Sequence, residues 1–271
     1  MNSVMARRTL AITHAPSPKM EQGQRTHVGR TTIDFDRACR QHEAYCQMLR
    51  DCGAEVQVMD VNRQWPDSVF VEDTVIVLDE VAVLASMGVE LRRAETAGIE
   101  RELRKHREIE RIALPATIEG GDVLRMGRTL LVGVSLRTNR AGVNALNAIV
   151  HRYGYKVIPV PVHDCLHLKT ACTALPDETL LVNPAWLDLA ALREFDRVPV
   201  PESEPWAANI VLVGATVCAA AEHERTAEMI LQRSFDVRAV ELSEFAKAEG
   251  GVTCLSLLFS QQKNLESISA D

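Results

Sequence analysis

The sequence has little of what stabilises small secreted or metal-bound domains. It contains seven cysteines, an odd number, and no Cys-x-x-Cys pair. A zinc ribbon needs paired cysteines and a secreted disulfide framework needs an even set, so both classes are excluded. We therefore expect free thiols in a reducing compartment. The cysteines lie at positions 39, 46, 52, 165, 172, 218 and 254.

The chain also lacks an excess of positive charge and a long apolar run. Lysine and arginine number 30 against 37 aspartates and glutamates, which gives a net charge of −7. This balance argues against a nucleic-acid binder with a basic face and favours a small cationic partner. No apolar run approaches the roughly 18 residues of a membrane span, and residues 1–10 lack the apolar core of a signal peptide. We expect a cytoplasmic protein without a nucleic-acid or membrane partner.

Glycine and proline are too scarce for a collagen-like or low-complexity chain, with 14 and 11 residues. Apolar residues make up 46% and charged residues 25%, which is typical of a globular protein. A chain of 271 residues buries roughly three quarters of its unfolded surface and needs no disulfide or metal to fold. Because no linker is visible, we predict one domain over residues 1–271.

Five segments repeat one order of elements: a strand, usually a second strand, an amphipathic helix and a short terminal strand. The terminal strands recur at roughly 40 to 50 residues, a period typical of propellers and repeat arrays. We therefore predict an α/β fold, a closed fivefold α/β propeller in which residues 250–259 return to complete the first unit. An open α/β sheet is the alternative. The predicted helices are near 36–52, 92–107, 141–153, 186–195 and 224–234, and the predicted first strands are 9–13, 69–78, 117–126, 166–174 and 209–213.

The segment PDSVFVEDT at 66–74 places three carboxylates, Asp67, Glu72 and Asp73, around an apolar strand. In a straight strand, Asp73 would lie on one face and Glu72 on the other. A buried carboxylate is costly unless a cation or several hydrogen-bond donors compensate it. This segment is a candidate cation site, and the alternative is a strand end that faces water.

A second acidic segment, IEGGDV at 118–123, holds Glu119 and Asp122 on either side of a glycine pair. Two glycines inside a strand-forming run indicate a bulge or a close backbone approach. The segment has neither the dinucleotide-binding nor the P-loop spacing, so a phosphate loop is not supported. The alternative is a turn with two solvated acids.

Two further segments carry nucleophilic or proton-transferring side chains. In CLHLKT at 165–170, strand alternation would put Cys165, His167 and Lys169 on one face. In GGVTCLSLLF at 250–259, Cys254 lies near the start of a predicted strand. Each alone is more typical of a core residue than of a catalyst. Together, one cysteine, one histidine and several acids favour nucleophilic catalysis on a cation, because acyl transfer would need oxyanion donors instead.

The sequence resembles the dimethylarginine dimethylaminohydrolase family of the guanidine-modifying (pentein) superfamily. The resemblance spans roughly residues 9–259 and leaves no room for the helical insertion of arginine deiminases. It implies a fivefold α/β propeller and a hydrolase of N-methylated arginine that needs no cofactor and no metal. The matching segments are PDSVFVEDT (66–74), RRAE (92–95), EGGD (119–122), RTN (137–139), LHLKT (166–170), AAN (207–209) and GGVTCLSL (250–257).

The resemblance also implies the catalytic residues. Cys254 would attack the guanidinium carbon and form a covalent thiouronium. His167 would protonate the departing amine and then activate the hydrolytic water, while Glu119 would orient and charge-stabilise His167.

The substrate-binding residues implied by the resemblance are acids and arginines. Asp73 would hold the guanidinium nitrogens, with Asp67 and Glu72 in the same acidic shell. Arg92 and Arg137 would bind the substrate α-carboxylate, a task that suits a planar bidentate donor.

Two segments depart from the family pattern. The family's TRPG reads ASMG at 85–88, and the flap that usually carries a leucine reads MEQGQR at 20–25. Arginine, citrulline or another alkylguanidine therefore stay open as substrates, as do deiminase and amidinotransferase activities. A non-catalytic propeller scaffold and a zinc-dependent hydrolase are the alternatives from other classes. A homodimer is possible, and Cys165 is either a second reactive thiol or a core residue.

Overall fold

The computed structural model describes residues 8–261. Residues 1–7, part of the N-terminal segment considered above, and residues 262–271 lie outside the described residues. The strands are β1 (Thr9–His14), β2 (Ala54–Met59), β3 (Val75–Val77), β4 (Val81–Leu84), β5 (Glu108–Arg111), β6 (Val123–Met126), β7 (Thr129–Val134), β8 (Lys156–Pro161), β9 (Cys172–Ala174), β10 (Leu180–Val182), β11 (Arg197–Pro199), β12 (Val211–Val213), β13 (Thr216–Ala220), β14 (Val237–Val240) and β15 (Ser256–Ser260). The α-helices are α1 (Phe35–Asp51), α2 (Glu95–Leu103), α3 (Arg140–Val150), α4 (Leu168–Ala171), α5 (Glu224–Gln232) and α6 (Ser243–Ala246).

The strands form five separate three-stranded sheets, which we call blades 1 to 5. In each blade the first two strands are antiparallel, and the middle strand is parallel to the third. The strand orders are β15-β1-β2, β3-β4-β5, β6-β7-β8, β9-β10-β11 and β12-β13-β14. A parallel pair needs a crossover connection, and in four blades an α-helix supplies it. The predicted repeat unit is confirmed, and an open sheet is excluded among the described residues.

Blade 1 joins the two ends of the described chain. Strand β15 pairs antiparallel with β1, and Thr9 lies opposite Ser260. The expected return of residues 250–259 to the first unit is therefore confirmed, although only its second half is strand.

Five hydrophobic clusters lie at the seams between neighbouring blades and close them into a ring. Each cluster draws buried residues from two adjacent blades, and the last joins blade 5 to blade 1. Burial of a leucine or valine side chain contributes about 1.5–3 kcal/mol, so the seams hold the propeller together. Representative members are Leu10 and Val75 (blades 1 and 2), Val81 and Leu130 (2 and 3), Leu131 and Leu180 (3 and 4), Leu181 and Val217 (4 and 5), and Val213 and Ala11 (5 and 1).

The long helices begin and end where the sequence predicts. The Asp34 side chain caps α1 by accepting from Arg37 N, and the Asn139 side chain caps α3 by accepting from Gly142 N. The turn after α3 ends at Gly154, whose φ of 78° is in the left-handed region that glycine readily adopts. Four of the five predicted helices are confirmed within a few residues.

The predicted helix at 186–195 is wrong. This segment forms two short 3₁₀ turns, Pro184–Trp186 and Leu189–Leu192. Between them Leu187 is extended and forms an isolated bridge with Val162, so the backbone cannot continue as a helix. The Asp188 side chain then starts the second turn by accepting from Ala190 N. Strand pairing therefore overrides the apolar helical pattern here.

Among residues 8–261, no helix has both the length and the apolar composition that crossing a membrane requires.

Candidate active site

The candidate site is built from the turns that precede the first strand of each blade, which we call the pre-strand turns. They comprise residues 70–74, 119–122, 166–171, 206–210 and 250–255. Because the blades are arranged in a ring, these five turns meet at one end of its axis. They carry Asp73, Glu119, His167, Asn209 and Cys254, one residue from each blade.

The predicted first strands at 69–78, 117–126, 166–174 and 250–259 are too long at their beginnings. Val71–Thr74 and Gly120–Asp122 are 3₁₀ turns, Leu168–Ala171 is a helical turn, and β15 begins only after Cys254. The face alternation predicted for Asp73 and Glu72 is therefore wrong, and so is the common face of Cys165, His167 and Lys169. A turn of helix rotates successive side chains by about 100° rather than 180°.

His167 lies between two carboxylates, and all three side chains are buried. Its Nε2 is 2.8 Å from Glu119 Oε2, and its Nδ1 is 3.7 Å from Asp73 Oδ1. Main-chain donors fix both acids, because Gly88 N donates to Glu119 Oε1 (3.0 Å) and Gly121 N donates to Asp73 Oδ1 (3.2 Å). The imidazole orientation is thus determined on both sides.

This arrangement favours an imidazolium ion. Burial lowers the pKa of His167, but the negative charge of Asp73 and the hydrogen bond to Glu119 outweigh burial and raise the pKa to about 9. Burial raises the pKa of Glu119 and Asp73, whereas the positive charge of His167 lowers it, and the net direction is down for both. At neutral pH the site therefore holds a protonated histidine between two carboxylates.

Cys254 is a buried thiol in the turn that follows the glycine pair. Gly251 N donates to Cys254 Sγ (3.4 Å), and Cys254 O accepts from Glu72 N (3.3 Å). Burial, together with the negative charges of Glu72 and Asp73, raises the pKa of the Cys254 thiol to about 12. Without a bound cation the cysteine is protonated at neutral pH.

Six of the eight predicted site residues line one narrow cavity of about 20 Å³. Gln24 and Glu249 line it as well. Glu119 does not line this cavity but contacts His167, which does. Glu72 instead ion-pairs with Lys169 (2.6 Å) and lines a second cavity of about 340 Å³. The six are Asp67, Asp73, Arg92, Arg137, His167 and Cys254.

The two arginines differ in how fully they are engaged. Arg92 donates to Asp73 (2.6 Å) and Glu95 (3.0 Å), and its Nη2 also donates to two main-chain oxygens, those of Asp67 and Phe70. Arg137 makes longer contacts, with Nη1 3.6 Å from Glu119 Oε1 and Nη2 3.5 Å from Thr26 Oγ1. Arg137 is thus better placed to bind an added anion, while Arg92 organises the acids.

Asp67 holds the segment that covers the cavity. Its two carboxylate oxygens accept from Gln24 N at 3.2 and 3.1 Å. Burial raises the pKa of Asp67, and the positive charge of Arg92 opposes this rise. A Cβ at Gly23 would lie 2.3 Å from Asp67 Oδ1, so the close approach of the covering segment requires glycine there.

Asn209, in the matching segment AAN at 207–209, is a site residue for which no role is predicted from the sequence. Its side chain donates to Lys169 O (2.9 Å) and to Thr253 Oγ1 (3.0 Å), and it accepts from Thr253 N (3.1 Å). Asn209 therefore ties the turn that carries His167 to the turn that carries Cys254. Its position in the repeat, directly before the first strand of the fifth unit, is the signal that could have identified it.

Asp122 is a second residue without a predicted role. It accepts from Leu168 N (2.8 Å) and from the Ser135 hydroxyl (2.7 Å). The first bond starts α4 immediately after His167. The acid is a buried turn anchor rather than a solvated one.

Cys165 also belongs to this framework. It is buried, and its thiol donates to His167 O (3.4 Å). Burial raises the pKa of Cys165 to about 12, with the charges of Asp122 and Asp164 in the same direction. We infer a packing role for this thiol.

Asp73, Glu119 and His167 also form a candidate metal-ligand set, because their ligand atoms lie within 4.8 Å of one another. A metal would have to displace the proton on His167 and compete with Arg92 for Asp73. The donor set is therefore better matched to an organic cation that leaves these contacts in place.

The comparisons with known proteins show the family of this chain. The family described as N,N dimethylarginine dimethylhydrolase, eukaryotic, matches residues 18–186. A dimethylarginine dimethylaminohydrolase from Streptomyces coelicolor is 42% identical over 249 residues, covering 91% of this chain and 95% of that protein. One from Pseudomonas aeruginosa is 34% identical over 251 residues, covering 92% and 98%.

Solved structures give the same result. A dimethylarginine dimethylaminohydrolase adduct with S-methyl-L-thiocitrulline superposes with a TM-score of 0.87 at 33% identity, over 94% of this chain and all (100%) of that one. The N-terminal domain of ArgZ, a cyanobacterial arginine dihydrolase, has a TM-score of 0.80 at 22% identity over 93% and 98%, which shows the common fold. The predicted fivefold α/β propeller is confirmed, and the chain belongs to the dimethylarginine dimethylaminohydrolase family.

Proposed function

We propose that this protein hydrolyses N-methylated arginine to citrulline and a methylamine through a covalent intermediate on Cys254. The observation that carries this proposal is the narrow cavity that Cys254 and His167 line together with two buried carboxylates, Asp67 and Asp73. Such a cavity suits a planar cation, because the acids are compensated only in part by His167 and Arg92. The relatives named above support the same reaction.

The substrate is held at both of its ends. The guanidinium would lie against Asp73 and Asp67, which keeps it cationic and directs its carbon to Cys254 Sγ. The α-carboxylate would bind Arg137, whose guanidinium is not saturated by its protein contacts. Glu72 would act from the opposite side of Cys254, through charge rather than contact.

The pKa values of Cys254 and His167 determine which group loses a proton at each step of the reaction. The substrate's positive charge stabilises the thiolate and lowers the pKa of Cys254 from about 12, so the thiol releases its proton to solvent when the substrate binds. The thiolate adds to the guanidinium carbon, and His167 gives its proton to the departing dimethylamine. The resulting thiouronium is hydrolysed when neutral His167 takes a proton from water. The hydroxide adds to the thiouronium carbon, and the C–S bond breaks to return the Cys254 thiolate. The added hydroxyl gives up its proton to solvent, which leaves citrulline.

The substrate range depends on the segment that covers the cavity. Met20 is buried in the seam cluster of blades 5 and 1, and Gln24 lines the cavity with a polar side chain. The ASMG departure leaves the catalytic geometry intact, because Gly88 N still donates to Glu119 and packs against the Arg137 main chain. Arginine and other alkylguanidines are therefore the competing substrates.

The function is tested by measuring citrulline and amine release. Asymmetric dimethylarginine, monomethylarginine, arginine and agmatine are compared at equal concentration, with and without a chelator. Release from the methylated substrates supports the proposal. Release from arginine or agmatine alone would assign another guanidine hydrolase, and loss of activity with the chelator would favour the zinc-dependent alternative. No release from any of them would favour a non-catalytic scaffold.

The ionisation of Cys254 predicts a steep pH dependence of its alkylation. In the absence of substrate, the iodoacetamide rate at Cys254 should rise about tenfold per pH unit from pH 7 to 10, because its pKa is about 12. The measurement is mass spectrometry of the peptide that contains Cys254, with the partly exposed Cys39 as the internal control. A plateau below pH 8 would mean that the free enzyme already holds a thiolate.

Glu119→Gln should lower kcat about 100-fold, within the usual range for general acid–base groups. The native enzyme should lose activity as pH rises through about 9, because His167 must be protonated to release the amine. Without the Glu119 charge the pKa of His167 falls, so this alkaline limb moves to lower pH. Glu110→Gln, at an exposed surface ion pair, is the matched control. An unshifted alkaline limb would contradict the role of Glu119.

Cytoplasmic location and a possible homodimer remain predictions. Cell fractionation would test the predicted location, and light scattering of the purified protein would test the predicted homodimer.

A further inference from the structure

The active-site cavity is narrow in this structure. Its volume of about 20 Å³ is enough for about one water molecule. No arginine derivative fits until the segment above the cavity moves. That segment, residues 23–31, which we call the covering segment, has no helix or strand and follows the short turn Met20–Gln22.

The covering segment is fastened to the body by Glu249. One carboxylate accepts from three successive main-chain N–H groups. Thr26 N donates to Oε2 (2.8 Å), Val28 N donates to Oε1 (2.9 Å), and His27 N also donates to Oε1. Successive N–H groups that converge on one anion form a specific binding geometry, and bonds to a charged acceptor are stronger than neutral ones.

Glu249 is also joined to the nucleophile turn. It directly precedes Gly250 and Gly251, and it lines the cavity together with Cys254. Its φ of 62° is in the left-handed region, which glycine adopts more easily than glutamate. The backbone of Glu249 is therefore strained, and from this position its side chain contacts the covering segment.

The other contacts of the covering segment lead to substrate-binding residues. Gln24 N donates to both oxygens of Asp67, and Arg137 Nη2 lies 3.5 Å from Thr26 Oγ1. A substrate carboxylate that binds Arg137 would thus touch the residue whose N–H is held by Glu249. Closure of the segment and occupation of the site are connected through these neighbouring contacts.

We propose that Glu249 is a positioning residue that latches the covering segment over the site and releases it for substrate entry. This inference rests on the proposed function, because it names the device that closes the same site. The latch is reversible, since water solvates the carboxylate and the three N–H groups when the segment opens. Closed, it separates the site from bulk solvent and keeps the nucleophile turn in register with the bound guanidinium.

The test removes the latch in two ways. Glu249→Gln keeps the shape but loses the charge and turns an amide NH₂ towards an N–H donor. Glu249→Gly deletes the carboxylate and relaxes the positive φ, which offsets part of the stability lost with the three hydrogen bonds. Glu249→Asp retains the charge and should restore part of the effect. Glu202→Gln, at an exposed carboxylate between β11 and β12, is the matched control.

Both Gln and Gly variants should increase iodoacetamide alkylation of Cys254 about tenfold at pH 8, while the control is unchanged. In the turnover assay they should raise KM about tenfold with a smaller change in kcat. Unchanged alkylation and KM in both variants would overturn the latch. The alkylation readout needs no turnover, so an enzyme without activity on methylarginine would refute the proposed function while the latch is still decided.

Discussion

Cys254→Ser should lower kcat for methylated arginine by a factor of about 10⁴ or more, in the range seen when a covalent nucleophile is removed. The physical reason is the absence of a neutral base beside the nucleophile. His167 is held as an imidazolium by Asp73 and Glu119, so it cannot take a proton from a serine hydroxyl. A thiol with a pKa of about 12 can be ionised by the charge of the bound cation, whereas a serine hydroxyl is far less acidic.

The control for this substitution is Cys165→Ser. The Cys165 thiol donates to His167 O, and a serine hydroxyl can make the same bond. Both variants are compared with the native protein by citrulline release at saturating substrate and by thermal unfolding. Activity retained in Cys254→Ser would refute a covalent intermediate on this residue. Activity lost in Cys165→Ser with normal folding would mean that the second thiol takes part in the reaction.

The sequence predicted the repeat and most of the helices because these depend on local signals. The amphipathic period of α1 and the Asp34 cap lie within one segment of chain. The return of β15 to β1 was predictable because the first unit lacked one strand. The extended conformation of Leu187 was not predictable, because its bridge to Val162 depends on a residue 25 positions away in the sequence.

Most of the predicted first strands begin too early. The residues wrongly assigned to their N-terminal ends form turns that carry the active site. Apolar runs such as 69–71 continue the strand pattern, but tertiary contacts bend the chain into turns. Gly120 is one cause, because a Cβ there would lie 1.9 Å from Glu72 O, so two pre-strand turns can touch only through glycine. Face alternation therefore could not place Asp73 or His167. The family resemblance indicated which residues form the site, whereas the distances among them depend on how the five blades are arranged in the ring.

Neither the residue pattern nor the family resemblance predicted the full role of Arg92. The resemblance implies that it binds the substrate α-carboxylate. In the structure its guanidinium holds Asp73 and Glu95, and all three side chains are at most 4% exposed. Burial raises the pKa of Glu95, and the charge of Arg92 opposes that rise. The cation therefore opposes the effect of burial on a buried acidic cluster, which sequence spacing alone could not reveal.

Arg92→Met should lower the free energy of unfolding by about 3–5 kcal/mol at neutral pH, the usual cost of leaving buried charges without their partner. Glu95 and Asp73 would then lose their arginine partner, although His167 and Gly121 N still contact Asp73, and the pKa values of both acids in the folded protein would rise. Groups with a raised folded pKa favour folding at low pH and cease to do so as pH rises through that pKa. The deficit relative to the native protein should therefore shrink from pH 7.5 to pH 5.

Urea unfolding at both pH values measures this effect, and Arg137→Met is the matched control. Arg137 lies at longer distances from its partners, so its removal should cost less stability and act mainly by raising KM. Comparable unfolding midpoints for Arg92→Met and the native protein, together with a raised KM, would contradict the organising role. They would return Arg92 to direct binding of the substrate carboxylate. A large, pH-dependent loss of stability would instead mean that this arginine builds the site before any substrate enters it.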